Sequence, residues 1–538
     1  MSRYHTHLAA VVFAALLALS GFIARGAEPE DPLKQHYEAA SRFARAGDGE
    51  HASEEYRAFL SEALHRVANG RADAGEFHSA EPLFEQGMAL APNDRNLKFD
   101  YAKACLDNDN LPKAKQLAEE LAKSSQANVA VRLLFGRVLF HLGDFQSARA
   151  QLEQVFADKP EFNTGYLLGK TYLLLREEQK AGGLFEGMAR KFGDTVAAHI
   201  YFGRAYSETD YPTRAVEEFQ RAMTKDDRAP DVHYYLGLTY LGHNESAGYA
   251  QAIPEFRAEL ERNKNDFRSY YMLGYIALKQ RNFEEAEAEL QHAIGLEPAD
   301  LQSLLQLAAV YENTDRIPES ENILRKAILL SNDSAANEGQ VSRAHYLLGR
   351  LLEKTGRHHQ AMEEMEVVAN IQKRLGPSST QTGDARTKEA QDETRRAQVV
   401  QPEKLAQLEQ FERAIRPAIA DAYNNLGAIL AGNRDYAGAV RYFRSARDWD
   451  ASLEGIDLNL GRAAYLAGQF EKAAPALSRY LQQHPEDNNA RSVLGLTWFR
   501  LGEYQKVVDV LTPMVPGIQS SPELANAYST SLARITKD

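Results

Sequence analysis

Between Phe267 and Asp300 apolar side chains recur at Tyr270, Leu273, Ala277, Phe283, Ala286, Leu290 and Ala293. Steps of three and four place these positions on one helical face, and the stripe changes register once, between Ala277 and Phe283. The segment therefore predicts two short helices joined by a turn, the second stopped before Pro298, where the backbone ladder cannot continue. At the centre of the first helix a glycine follows a bulky apolar residue, Leu273-Gly274. The same pairing returns at Gly136, Gly169, Gly203, Gly237, Gly349, Gly427, Gly461 and Gly495, mostly in steps of 33 or 34 residues. Such a period is too long for one helix and suits a helix-turn-helix unit whose stripe is covered by the units before and after it.

Weaker units fit the same register. Residues 61–94 carry Val67, Ala68, Ala80, Phe84 and Pro92; residues 95–128 carry Tyr101, Ala102, Ala114 and Leu121; residues 301–334 carry Leu307, Ala308, Tyr311 and Leu324. A degenerate first unit starts near Leu33, and a terminal helix from Glu523 to about Ile535 covers the last one through Tyr528 and Leu532. Two breaks interrupt the rhythm. Three extra residues between Tyr240 and Ala252 predict a longer turn around His243–Gly248. From Asn370 to about Pro417 the chain becomes polar and punctuated, with the charged run Lys388–Arg396, before Leu405, Leu408, Phe411 and Ile415 resume a helical spacing. The expected division is a first array over 33–369, a polar linker over 370–403, and a second array with a capping helix over 404–538.

Tyr270, Leu273-Gly274, Ala277, Phe283, Ala286 and Pro298 match the tetratricopeptide repeat (TPR) pattern W-x2-L-G-x2-Y, A-x3-F, P, and the chain resembles that family over nearly everything after residue 33. The resemblance implies an all-α, right-handed α-solenoid of about twelve repeats, interrupted by one linker, acting as a protein-binding scaffold. The small residue at each glycine position, together with Ala148, Ala215, Ala286 or Ala473 on the following helix, lets the two helices of a unit approach closely.

Composition narrows the class. A chain of 538 residues, 44% hydrophobic and 25% charged, is ordinary for a folded protein, and the repeat replaces a count of globular domains with an elongated stack. Its net charge of −13 argues against a nucleic-acid partner. Leu8–Ala24 is continuously apolar, follows Arg3, and ends in Ala24-Arg25-Gly26, so residues 1–26 read as a cleaved secretory signal peptide; the alternative is an uncleaved membrane anchor. Cys105 is the single cysteine, which excludes an intramolecular disulfide and fits a bacterial periplasmic or secreted protein.

No phosphate loop, nucleophile elbow, HExxH or paired-cysteine spacing occurs in the chain. His358-His359 is the nearest approach to a metal cluster and reads as a solvated turn. We therefore expect no catalytic residues, no metal and no cofactor. The candidate site is instead a concave groove, taken from the family resemblance and counted from each glycine: Tyr166, Tyr234, Tyr271 and Tyr346 three before it, and Arg137, Lys170, Arg204, Arg350 and Arg462 one after it. Tyrosines and cations four apart share a helix face and suit an extended peptide with acidic groups. The competing reading packs the rings between repeats and pairs the cations with neighbouring acids. The expected function is a non-catalytic envelope scaffold for a protein or peptide partner, with self-association through the array ends left open. The alternative is a module serving an envelope polysaccharide or glycosyltransferase system.

Overall fold

The computed structural model describes residues 31–124, 128–242, 245–331, 338–375 and 402–536. The segment expected as a signal peptide and linker residues 376–401 lie outside the described residues. Among the described residues the fold is all-α, with 26 α-helices and no strand. Successive helices form antiparallel pairs, such as Val129–His141 with Phe145–Asp158 and Val196–Glu208 with Pro212–Lys225.

Local sequence explains the pairing. Asp144, Asp266, Asp300, Asp435 and Asp487 each accept a backbone N–H in the first turn of the helix they precede, satisfying a donor that has no intrahelical partner. The turn within a pair closes on a left-handed residue, for example Gly143 at φ +77°, whose N–H donates to the Phe140 carbonyl at 3.0 Å. At the repeating glycines the facing helix fills the space a side chain would need. A Cβ on Gly203 would stand 2.6 Å from Phe219, on Gly274 2.7 Å from Leu290, on Gly461 2.5 Å from Leu477 and on Gly495 2.5 Å from Leu511. Gly136, Gly169, Gly349 and Gly427 meet Leu152, Phe185, Met365 and Phe443 in the same way. In all eight the partner lies sixteen residues on, so a single register repeats along the chain.

The ninth glycine reports the first break. Gly237 meets Phe256, nineteen residues on, at 2.8 Å. Of the residues expected in a longer turn, His243 and Asn244 lie outside the described residues. Helix Val232–Leu241 is capped by Gly242, and the next helix already begins at Glu245 and runs 18 residues to Arg262. Glu245, Ser246 and Gly248, also expected in that turn, instead lie within helix Glu245–Arg262.

Contacts divide the chain into two compact units, and the division differs from the expected one. One unit joins residues 31–71 and 80–97 to residues 402–536; the other holds 72–79 and the described part of 98–400. In the first unit one core contains Leu33, Tyr37, Tyr56, Phe59, Leu60, Leu64 and Val67 together with Ile415, Ile419, Ala422, Tyr423 and Leu426. Two long helices make this possible. Gly49–Asp73 (25 residues) runs through the place where the first two units were expected to separate, and Pro402–Gly432 (31 residues) runs through Pro417. They lie antiparallel: a Cβ on Gly49 would sit 3.5 Å from Ile429, and one on Gly70 2.5 Å from Leu408. The expected arrays, 33–369 and 404–538, are thus replaced by a discontinuous unit. The reason is physical: spacing shows which faces are apolar, whereas the identity of the cover is settled by packing between distant segments.

Polar contacts fasten the same junction. Tyr37 donates its hydroxyl to Asp421 at 2.7 Å, and Asn425 donates to the same carboxylate at 2.8 Å. Burial and the Asp421 charge push the Tyr37 phenol far above its ordinary value. Arg71 grips Glu412 with two donors, each at 2.6 Å, on a carboxylate that is itself buried.

Candidate functional site

The candidate groove residues lie on first helices of pairs, and the structure separates them into distinct settings. Tyr234 is 0% and Tyr271 7% exposed, both inside one apolar core with Phe256, Leu273 and Ile276. Arg268, from the following pair, lies 4.4 Å over the Tyr234 ring and pairs with Asp266 and Asp231. These two tyrosines pack between repeats and present no ring to a groove. Arg137 faces Asp107 at 3.5 Å and Arg350 faces Glu312 at 2.6 Å, so both cations have an acidic neighbour from the preceding pair. Tyr346 is exposed, and Arg462 is exposed in the other unit.

Three candidates do come together. Tyr166, Lys170 and Arg204 sit on helices Phe162–Leu174 and Val196–Glu208, whose packing builds a small aromatic–cation face. Its centre is Tyr201, 41% exposed, with its ring edge-on to Phe162 and to Tyr166, each at 5.5 Å. Arg204 lies 5.8 Å from the Tyr201 ring and 4.5 Å over Tyr235 of the next pair. Lys170 is within 6 Å of the Tyr166 and Phe140 rings. One carboxylate joins the cations: Glu208 accepts from Lys170 at 2.5 Å and stands 3.7 Å from Arg204. Burial raises the Tyr166 phenol well above its ordinary value, and Glu208 adds to that. At one edge His141 is pushed down, first by burial and then by Arg137 and Lys170, which favours an uncharged imidazole beside the cations.

Counting three before the glycine missed Tyr201 and Tyr235, which stand two before Gly203 and Gly237. It also missed Phe162 and Glu208. Only Glu208 left a usable trace, four after Arg204 on one helix face. Rings and cations at this spacing offer edge contacts, stacking and charge-assisted hydrogen bonds to a bound chain, and there is no nucleophile–base pair among them. His358 and His359 each pair with a nearby glutamate, Glu353 at 2.8 Å and Glu363 at 3.4 Å. No group of three or more His, Cys, Asp or Glu among the described residues is arranged to hold a metal, and no described helix is long and apolar enough to cross a membrane.

A buried acid also lies nearby in this unit. Glu259, 0% exposed, accepts the backbone N–H groups of Asp231 and Tyr234 at 2.9 and 3.4 Å, capping helix Val232–Leu241 from the facing helix. Burial raises its pKa, and the neighbouring Asp231 and Asp266 charges raise it further. Its role is to hold this helix start, which carries Tyr235.

Family models described as tetratricopeptide repeat match residues 71–127 and 430–527, 267–300 and 342–373, and 129–154. The chain is 26% identical to mouse Superkiller complex protein 3 over 250 residues, which is 45% of this chain and 15% of that protein. It is 23% identical to human tetratricopeptide repeat protein 21B over 197 residues, 34% of this chain and 14% of that protein. The chain therefore spans only a small part of the length of these relatives. Among solved structures, yeast Tom70 aligns over 84% of this chain and 99% of its own, at 14% identity and TM-score 0.31. MamA from Desulfovibrio magneticus RS-1 aligns over 35% of this chain and 99% of its own, at 20% identity and TM-score 0.30. The sequence matches support tetratricopeptide repeats in the matched segments of this chain.

Proposed function

We propose that this chain, whose matched segments are tetratricopeptide repeats, is a non-catalytic scaffold that binds an extended stretch of a protein partner on the Tyr201 face and works in the periplasm or cell envelope. Repeat solenoids of this kind serve characteristically as protein-binding scaffolds. The observation that carries the reading is Tyr201 itself, a large ring 41% exposed at the centre of a cluster of aromatic rings flanked by Lys170 and Arg204. Binding energy at protein interfaces concentrates in such aromatic and arginine anchors rather than in contact area. The apolar stretch Leu8–Ala24 supports the envelope location.

The test is crosslinking in the native envelope followed by capture with the purified full chain. Tyr201→Ala and Arg204→Ala should each weaken capture by roughly tenfold or more, the loss expected of an interface anchor, while helical content stays unchanged. Capture equal to wild type by both variants removes the binding face. Intact mass and cell fractionation test the location separately: an unprocessed chain retained in the cytoplasm removes the export reading and leaves the binding face standing.

A further inference from the structure

The discontinuous unit has a surface with a known occupant. Helix Pro402–Gly432 turns Ile415, Ile419, Ala422 and Leu426 toward the hairpin formed by helices Pro32–Arg45 and Gly49–Asp73, and the two segments share one core. No disulfide closes it, since the chain has a single cysteine, Cys105. About 330 residues separate Arg71 from Pro402, so at roughly 5–20 residues per second the hairpin waits on the order of half a minute for its cover during synthesis. Throughout that time Leu33, Tyr37, Phe59 and Leu60 lack the part of their core that helix Pro402–Gly432 supplies in the finished fold.

We propose that this closure is exchangeable between copies: residues 31–71 of one chain, with residues 80–97 that pack beside them, dock on helix Pro402–Gly432 of a second chain, giving a reciprocal, hairpin-swapped dimer. The contact is the same in cis and in trans, so only the effective concentration set by the long connection separates the two forms. Each copy supplies its hairpin to the other and receives the other's in return. Two buried carboxylates make the occupant specific. Asp421 is matched to Tyr37 and Glu412 to Arg71, so an apolar helix without those partners would leave buried charges uncompensated. Hence the occupant is a second copy of this hairpin rather than an arbitrary amphipathic helix. The inference is independent of the Tyr201 face, which lies in the other unit.

The experiment uses the full chain with Cys105→Ala, Gly49→Cys and Ile429→Cys, placing a thiol on each side of a contact where the Gly49 Cβ would be 3.5 Å from Ile429. The protein is unfolded, refolded either dilute or concentrated, oxidised, and run without reductant. A crosslinked monomer from dilute refolding and a covalent dimer from concentrated refolding are expected, with no dimer from the single-cysteine control. Intrachain product alone at every concentration overturns the proposal, and so does the absence of any crosslink, which would remove the closure itself. Complementation provides a second readout. Tagged Phe59→Asp and untagged Ile419→Asp full chains, refolded together, should co-purify as a heterodimer holding one intact closure; failure to co-purify overturns the exchange.

Discussion

Truncating Phe59 should be felt more than 340 residues away. Phe59 is 1% exposed, its ring lies 5.1 Å from Tyr37, and it belongs to the same core as Ile415, Ile419 and Leu426. Replacing a buried phenylalanine by alanine costs about 3–5 kcal/mol in lost transfer and cavity terms. Each 1.4 kcal/mol changes an equilibrium about tenfold, so opening of the joined segments should become roughly 10²–10⁴ times more frequent. Hydrogen exchange read by mass spectrometry on the full chain is the assay. Peptides from 31–71 and from 405–446 should lose protection together in Phe59→Ala. The loss should fade through helices Ile456–Leu466 and Phe470–Gln483, because each repeat leans only on its neighbours. Peptides from 129–330, in the other unit, should exchange as in wild type. Unchanged protection over 405–446 beside a loosened 31–71 would mean that helix Pro402–Gly432 finds sufficient cover within its own segment, and the discontinuous unit would be refuted.

Other expectations follow from single side chains. Gly203→Ala should lower stability by about 1–3 kcal/mol through overpacking against Phe219, while Gly295→Ala, with nothing within 4 Å of its added carbon, should be neutral or gain up to about 1 kcal/mol; paired thermal melts check both. Tyr271→Ala should cost about 3–5 kcal/mol because its ring is core, whereas Tyr346→Ala, 47% exposed, should stay within about 0.5 kcal/mol, so equal melting temperatures would contradict the burial. Glu259 holds its proton more tightly folded than unfolded. Its contribution is therefore full below the ordinary glutamate range and is lost as pH rises through the raised value. Glu259→Gln keeps an acceptor for the Asp231 and Tyr234 N–H groups and should flatten that decline; melts across this pH window with the same slope in both proteins would refute the assignment.

The periodic features were legible because they are local. Leu273-Gly274 and its eight counterparts and the second-helix alanines each act within one helix pair, so spacing alone located the pairs and the close approach at Gly203 or Gly461. The candidate face was only partly legible. Tyr166 and Tyr234 occupy the same place in the repeat, yet one is half-buried beside Tyr201 and the other is 0% exposed, because Arg268 and Phe256 close over Tyr234. A repeat position specifies direction from a helix axis, and the next pair decides whether that direction ends in solvent or in another side chain.

By itself, then, the order of residues determined the helix pair, its register and the all-α class, since these depend on interactions within about forty residues. Which segments share a core was decided only in three dimensions. Leu60 and Ile419 lie in one apolar cluster, and Tyr37 reaches Asp421 across 384 positions, through contacts that leave no period behind. An apolar stripe is equally well buried by any complementary neighbour, and geometry selects among them.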